Sequence, residues 1–455
     1  MPDRSFHPHV LIPQEHIGWY IEQPESVLNV RSPQVGRFAL NYLDPMLDTH
    51  QDMYLMDVLR KDVTRNLARL QPAIYQGMKE SVDNIFGTDG NTIREIRLFD
   101  VMSKIVFKSQ SRVFVGPPLC QDQTFLAALA FFAKWLGAGG IIVGQYTPKV
   151  FKALIGYPAA IPIFISKRIA FRYLVPEIKK RLARLEQKRS NPEMSWEQPS
   201  DMLGWVVNAA ADRKHPQADR PEAIAERIMF LMLGGIHTTI ITATNAFVDL
   251  LSSPQMNFDR LREETASIFR SEEDWKDHDL LRELIYTDST IRETLRLSPP
   301  LSRLLLREVA AEKGLQLPDG QRLSKGTWVA VTPVGVHSDE RFYSNPEHYE
   351  PFRFVERLKP KEAAPDDEKN QSSLFPSGKP QGLSTASDTY LAFGYGRHSC
   401  PGRWFVAFQL KLLLAYIIKY YDFEPLKNRP PYSIFGDSII PFTGTVLKVK
   451  RRNDH

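Results

Sequence analysis

The residues best suited to do chemistry lie between Phe393 and Gly402, FGYGRHSCPG, followed at once by RWFVAFQLKLLLAYIIKYY. Gly394 and Gly396 keep the approach tight and bare, and Pro401 suits the first turn of the helix that follows. Cys400 therefore sits at a helix N-terminus. There, unpaired amides and the positive end of the dipole favour a thiolate, and Arg397, His398 and Arg403 add cationic character. Such a thiolate is a nucleophile or a metal ligand. The other cysteine, Cys120 in VGPPLCQD, has no partner motif and reads as structural. A second constellation is Glu293 and Arg296 in TDSTIRETLRLSPP, three apart on a segment that stops before Pro299, so they share one helix face. In isolation such a pair is usually a solvated contact worth on the order of tenths of a kcal/mol. A third is the centre of a long apolar stretch, LMLGGIHTTIITATN. Gly234 and Gly235 each cost a helix about 1 kcal/mol relative to alanine, and Thr238 and Thr239 can bond back to the preceding turn and bend it.

Together these segments resemble the cytochrome P450 family. Phe393, Gly396, His398, Cys400 and Gly402 match its Phe-x-x-Gly-x-Arg/His-x-Cys-x-Gly signature. Glu293 and Arg296 precede the cysteine in the family's order, and between them comes Tyr349-Glu350-Pro351-Phe352-Arg353-Phe354, which resembles its Pro-x-Arg-Phe element. The resemblance implies that Cys400 is the proximal thiolate of a haem b iron, a ligation that favours O–O cleavage. It also implies that His398 reaches a haem propionate, that Phe393 packs near the sulfur and tunes the redox couple, and that Glu293, Arg296 and Arg353 form a buried, structural charge triad. Thr238 falls on the family's catalytic threonine, whose hydroxyl relays a proton during oxygen activation. His237 stands where the family has an acid; histidine still shuttles protons near neutrality. By context Arg307 aligns with an arginine that pairs with a propionate. Arg60, with Met56 in place of Trp in the Trp-x-x-x-Arg element, is a second propionate partner, and Arg65 competes for that place.

These residues need a large, mostly helical frame. The chain has 455 residues, 43% apolar and 24% charged, which excludes disorder as its main state. Its net charge of +5 is too small to argue for nucleic-acid binding. Apolar periodicity predicts helices over 53–86, 168–189, 221–252, 258–270, 280–297 and 403–420, and short strands over 9–12, 313–317, 327–333 and 445–450. Pro221 opens and Pro254 closes the glycine-containing helix, so it spans about 50 Å. Residues 357–388 read as a surface loop. The apolar region 126–166 is interrupted by Lys134, Gln145, Lys149 and Lys152 and broken by Pro148, Pro158 and Pro162; this predicts a buried or surface-docking helical segment rather than a membrane span. There is no internal repeat. The expected architecture is mainly α with small β-sheets, a single large haem-binding domain over 1–455 with the P450 fold.

The family also implies partners and an activity, RH + O₂ + 2e⁻ + 2H⁺ → ROH + H₂O. No strand precedes a Gly-x-Gly-x-x-Gly, so electrons must reach the chain from NADPH through a separate flavin-containing cytochrome P450 reductase. Arg60, Lys61, Arg65, Arg397 and Arg403 could form the docking patch. The CPGRWF, LLLREV and YEPFRF wording is most similar to filamentous-fungal enzymes that hydroxylate, oxidise or epoxidise terpenoid, alkaloid or polyketide skeletons. Two other readings stay open, a haem-thiolate isomerase or dehydratase needing no reductase and a haem-binding remnant without activity. Microsomal relatives begin with an anchor helix, a proline-rich hinge and a first helix and strand, whereas this chain opens near HVLIPQEHIGWY. A truncated start is the expectation. With an upstream anchor the protein belongs on the cytosolic face of the endoplasmic reticulum; as given, it is cytoplasmic or peripherally membrane-associated.

Overall fold

The computed structural model describes residues 9–45, 54–212, 220–355 and 381–453. The first part of the chain forms α1 (Ile17–Glu22), α2 (Arg31–Arg37), α3 (Leu40–Leu43), α4 (Tyr54–Val58), α5 (Leu67–Phe86), α6 (Leu98–Phe114) and α7 (Gln123–Gly139). The middle holds α8 (Lys152–Ser190), α9 (Met202–Ala211), α10 (Pro221–Leu251), α11 (Gln255–Ile268) and α12 (Ile285–Leu297); α13 (Pro333–His337) and α14 (Arg403–Tyr420) follow.

Among the described residues four small sheets flank the helices. The largest runs in the order β1 (His9–Leu11), β7 (Trp328–Val331), β4 (Leu304–Val309), β2 (Leu28–Asn29), with β1 parallel to β7 and the other pairings antiparallel. A second joins β3 (Ile93–Arg97), β11 (Val446–Arg451) and β8 (Tyr421–Phe423), all antiparallel. Two hairpins complete the set, β5 (Leu315–Gln316) with β6 (Arg322–Leu323) and β9 (Tyr432–Phe435) with β10 (Ser438–Pro441).

The elements closest to the expected chemistry form where sequence punctuation places them. α10 starts with Pro221 at its first position, where a missing N–H costs nothing, and ends at Leu251, three residues before Pro254. Its 31 residues span roughly 46 Å. From Thr239 to Leu251 every residue is buried, so this half is a core helix packed against α6, α12 and α14. α14 is buried continuously from Ala407 to Ile418. Each leucine or isoleucine so enclosed contributes about 1.5–3 kcal/mol relative to exposure.

Several expected elements are revised. The helix expected over 53–86 is divided by a wide turn at Leu59–Val63 between α4 and α5. That expected over 280–297 starts with a short 3₁₀ turn, Leu280–Arg282, and becomes α-helical only from Ile285. Residues 168–189 are the second half of one 39-residue helix, α8, and Pro158 and Pro162 do not break it. Pro158 and Pro176 are exposed and Pro162 is half-buried; the carbonyls they orphan belong to Leu154, Arg172 and Pro158, all exposed residues. Water can therefore replace the lost hydrogen bonds while Gly156, Ile163, Ser166, Ala170, Leu174 and Ile178 bury the opposite stripe. The strands β2, β3, β4, β6 and β8 to β10 fall outside the four that alternation predicts. Most of the loop expected over 357–388 lies outside the described residues, and its described part, 381–388, contains neither helix nor strand.

Candidate active site

The Cys400 loop is shaped by two glycines with left-handed backbone, Gly394 (φ +70°) and Gly396 (φ +71°). At Gly396 a Cβ would also come within 2.9 Å of Ile21 Cδ1, so a side chain there meets both strain and a clash. The Cys400 N–H donates to the Phe393 carbonyl at 2.7 Å, and the Gly394 N–H to Leu391 O at 2.7 Å. Phe393 thus holds the cysteine through its main chain while its ring packs half-buried against the core. Gly402 caps α14, so Pro401 lies in the turn just ahead of the helix rather than in its first turn. The main-chain N–H groups of Gly402 and Arg403 face the sulfur, and Arg403 also donates to Ser399 Oγ at 3.1 Å and to Cys400 O at 2.8 Å. Burial outweighs these donors and the nearby Arg403 and Arg60, and pushes the thiol up from its ordinary value. The expected thiolate is therefore not favoured by the protein alone; binding to a metal ion would displace the proton.

Behind the loop, Glu293 is fully buried and clamped from two sides. Arg296 approaches in bidentate fashion, Nε and Nη2 each 2.8 Å from a carboxylate oxygen, and Arg353 Nε lies 3.1 and 3.2 Å from the same two oxygens. The remaining guanidinium donors reach the carbonyls of His337, Ser344, Asn345 and His348. All three triad residues expected from the sequence therefore meet.

His337, which no sequence signal marks, ties this triad to the cysteine loop. Its Nδ1–H donates to Arg296 O at 3.0 Å, and Nε2 accepts the Leu391 N–H at 2.8 Å, two residues before Phe393. Its ring stacks on Tyr390, with centroids 5.3 Å apart. Burial, helped by the nearby Arg296 and Arg292, pushes its pKa down to about 3. The unfolded chain protonates this histidine near pH 6.5 and the folded chain does not. Stability contributed by neutral His337 is thus full above pH 6.5 and is lost as pH falls toward 3, by roughly 1.4 kcal/mol per unit. His337→Gln, which can supply both a donor and an acceptor, is expected to flatten this acid-side loss in denaturant titrations between pH 6.5 and 4.5. An unchanged slope would contradict the assignment.

On α10, Thr238 Oγ1 donates to Gly234 O at 3.2 Å and Thr239 Oγ1 to Gly235 O at 2.7 Å, the back-bonding expected at this weak segment. Gly234 is exposed and a Cβ there would meet nothing within 4 Å, although Leu233 and Ile236 beside it are buried. An open space therefore lies against the helix at this turn. His237 turns toward α7, hydrogen-bonding the Ala133 carbonyl through Nδ1, while Nε2 has no partner among the described residues. Burial holds its pKa below the usual histidine value, so the ring stays neutral.

A cationic cluster lies at the edge of the cysteine loop. Arg60 donates to Arg397 O at 2.7 Å and Arg397 to Gln23 O at 2.5 Å; buried Arg307 donates to Tyr20 O at 2.8 Å and stacks over the Tyr20 ring at 4.8 Å. A bulge in β4 between Leu304 and Arg307 sets the position of this arginine. His398 Nε2 is buried without a partner among the described residues, and Arg307, Arg397 and Arg60 all act on its ring, opposed by Glu25. Arg65 does not join; its charge acts on Asp62. Three arginines and an orphaned imidazole nitrogen fit an anionic group. Together with Cys400 and the open face at Gly234, they fit a haem with its propionates at this edge.

The chain's residues 23–449 match the family model described as cytochrome P450. The chain belongs to the cytochrome P450 family. It is 37% identical to cytochrome P450 monooxygenase polB of Polytolypa hystricis, over 99% of this chain and 85% of that protein. It is also 34% identical to monooxygenase nodZ of Hypoxylon pulicicidum (99% of this chain, 83% of that one). With monooxygenase efuH of Hormonema carpetanum it shares 34% identity (97% and 77%). As a P450 the protein is a haem-thiolate oxidoreductase, a monooxygenase that uses O₂ and electrons from a redox partner.

Proposed function

We propose that this P450 inserts one oxygen atom into an apolar skeleton of fungal secondary metabolism, of terpenoid, alkaloid or polyketide type. The observation that carries the reading is the Cys400 loop with its partnerless His398 nitrogen and three converging arginines. When bound, the haem supplies the oxygen activation; the chain's residues hold, orient and move protons. Cys400 is the iron ligand, with its backbone fixed by the Phe393 carbonyl. His398, Arg307 and Arg60 hold the propionates. Thr238, beside the open turn at Gly234, presents the hydroxyl that relays a proton. His237 is a neutral clamp between α10 and α7, and only its Nε2 remains to accept a proton. Glu293, Arg296 and Arg353 lock the segment behind the loop.

NADPH–cytochrome P450 reductase docks on the exposed Lys61, Arg65 and Arg397, of which Arg397 belongs to the cysteine loop itself and is joined to Arg60 beside Lys61. The test is turnover of the haem-loaded protein with reductase, NADPH and a terpenoid panel. Substrate-dependent NADPH use and a product carrying oxygen from labelled O₂ support the reading. A thiolate-type carbon monoxide spectrum without such NADPH use would favour a remnant, and product formation without O₂ an isomerase.

The protein also rests on a membrane surface, in this reading. The helices within Gln123–Gln145, Lys149–Ser190 and Pro221–Leu251 are long and apolar enough to cross a bilayer. α10 is mostly core, but the most apolar window of the second is only 22% buried. Val150, Phe151, Leu154, Ile161, Phe164 and Ile165 are exposed together at the start of α8, with Lys134, Lys149 and Arg168 exposed nearby. Inserting each such side chain contributes about 1.5–3 kcal/mol, and the cations suit anionic headgroups. Sedimentation with phosphatidylserine-containing vesicles is expected to carry down the wild type, and Leu154→Glu/Phe164→Glu to weaken binding at least ~10-fold with unchanged thermal stability. Equal sedimentation of the two would defeat the surface assignment.

A further inference from the structure

Resting on the role of Thr238 above, we propose that Gln110 and Gln409 are positioning residues for proton delivery. They form a buried carboxamide bridge that sets the Thr238–Thr239 turn of α10 against α14, the helix that follows Cys400. Ser109, Gln110, Thr239 and Gln409 are each 2% exposed or less. Gln409 Nε2 donates to Ser109 Oγ at 2.6 Å, and Ser109 Oγ donates to Val106 O at 3.1 Å. Gln110 Nε2 donates to Gln409 Oε1 at 2.9 Å and to Thr239 Oγ1 at 3.3 Å, and Thr239 Oγ1 passes its own proton to Gly235 O. Three helices, α6, α10 and α14, are joined by one directional chain of donors.

The bridge is a poor way to gain stability alone. Gln110 Oε1 is buried with no partner among the described residues, lying 3.6 Å from where a Cβ on Gly235 would stand. An unmade bond of this kind costs about 1–3 kcal/mol, and apolar side chains of similar shape would avoid it. What apolar packing cannot provide is a fixed direction. The turn needs one, because Gly234 and Gly235 weaken the helix at the position from which Thr238 projects, and Gly234 faces open space. Thr239, tethered to Gln110, fixes the phase of this turn and with it the hydroxyl one residue earlier.

Two variants test the proposal, Gln110→Leu/Gln409→Leu, which replaces both partners with apolar groups, and Thr239→Val, which removes only the hydroxyl link and stands in if the first fails to fold. In the haem-loaded protein each is expected to keep the thiolate-type carbon monoxide spectrum and KM while product formed per NADPH falls at least ~3-fold and peroxide rises. In the haem-free chain, amide hydrogen exchange over 234–242 is expected to quicken ~10-fold while exchange over 407–418 is unchanged. Wild-type coupling in the variants, with or without faster exchange, would make the bridge merely structural and overturn the proposal, as would lost coupling with unchanged exchange. A wild type without turnover counts against the proposed function instead, and unchanged exchange over 234–242 in the variants still overturns the bridge.

Discussion

Cys400→Ala is expected to abolish the thiolate-type carbon monoxide difference band and to lower turnover at least ~1,000-fold, about 4 kcal/mol of barrier. The chain itself should remain folded. Cys400 is only half-buried, the bonds that shape its loop are main-chain, and Gly394 and Gly396 keep their left-handed conformations without any help from the thiol. The loss of stability is therefore expected below about 1 kcal/mol. Urea unfolding of the haem-free chain, compared with spectra of the haem-loaded protein, separates the two effects. A band that survives the substitution would remove Cys400 as the ligand, and a matching collapse of stability would mean that the thiol is a packing residue.

Glu293→Ala should show the opposite pattern, a large loss of stability from a residue that touches no reacting group. The carboxylate is fully buried and shared by Arg296 and Arg353, with the Glu350 N–H a further donor at 3.1 Å. Its removal leaves the Arg296 guanidinium buried without its counter-charge, while half-buried Arg353 keeps only the half-exposed Glu350 carboxylate at 3.2 Å, at a combined cost of about 3–5 kcal/mol. Because Arg296 also donates to His337 O, and His337 holds Leu391, the disturbance reaches the cysteine loop. The variant is expected to express poorly and to take up little haem. Adding Arg296→Leu and Arg353→Met to Glu293→Ala should recover part of the stability, since apolar groups carry no desolvation debt. Denaturant midpoints for the single and triple variants decide this: a triple variant less stable than the single one would show that the carbonyl contacts of the arginines, not the charges, matter most.

These two residues were legible in the sequence for different reasons. The Cys400 loop is a local object; two glycines with positive φ, a helix cap and a cysteine between them are specified within ten residues. Pro221 and Pro254 likewise delimit α10 by a rule that acts within one helical turn. Glu293 and Arg296 lie one turn apart, but Arg353 joins them from 60 residues away, and only the family resemblance indicated that it should. The same distance effect hid the short strands. β2 is two residues long and exists because distant β4 offers its main chain, Leu28 pairing with Val309, so no alternation could build up in the sequence. α8 was misjudged because proline rules describe a helix in isolation, whereas here two prolines are exposed and all three orphaned carbonyls belong to exposed residues.

The sequence by itself determined the chemistry: one cysteine in a glycine-shaped turn, a threonine beside two glycines in a long helix, and a carboxylate set among arginines. Tertiary structure decided what surrounds that chemistry. It brought Arg60 to Arg397 across 337 residues and Gln110 to Gln409 across 299. It turned His237 toward Ala133, and it surrounded the half-buried Cys400 thiol with protein whose desolvation opposes the thiolate that the helix terminus favours. The physical reason is that desolvation and long-range hydrogen bonds depend on what lies beside a residue in space, and neither leaves a periodic or local trace in the chain.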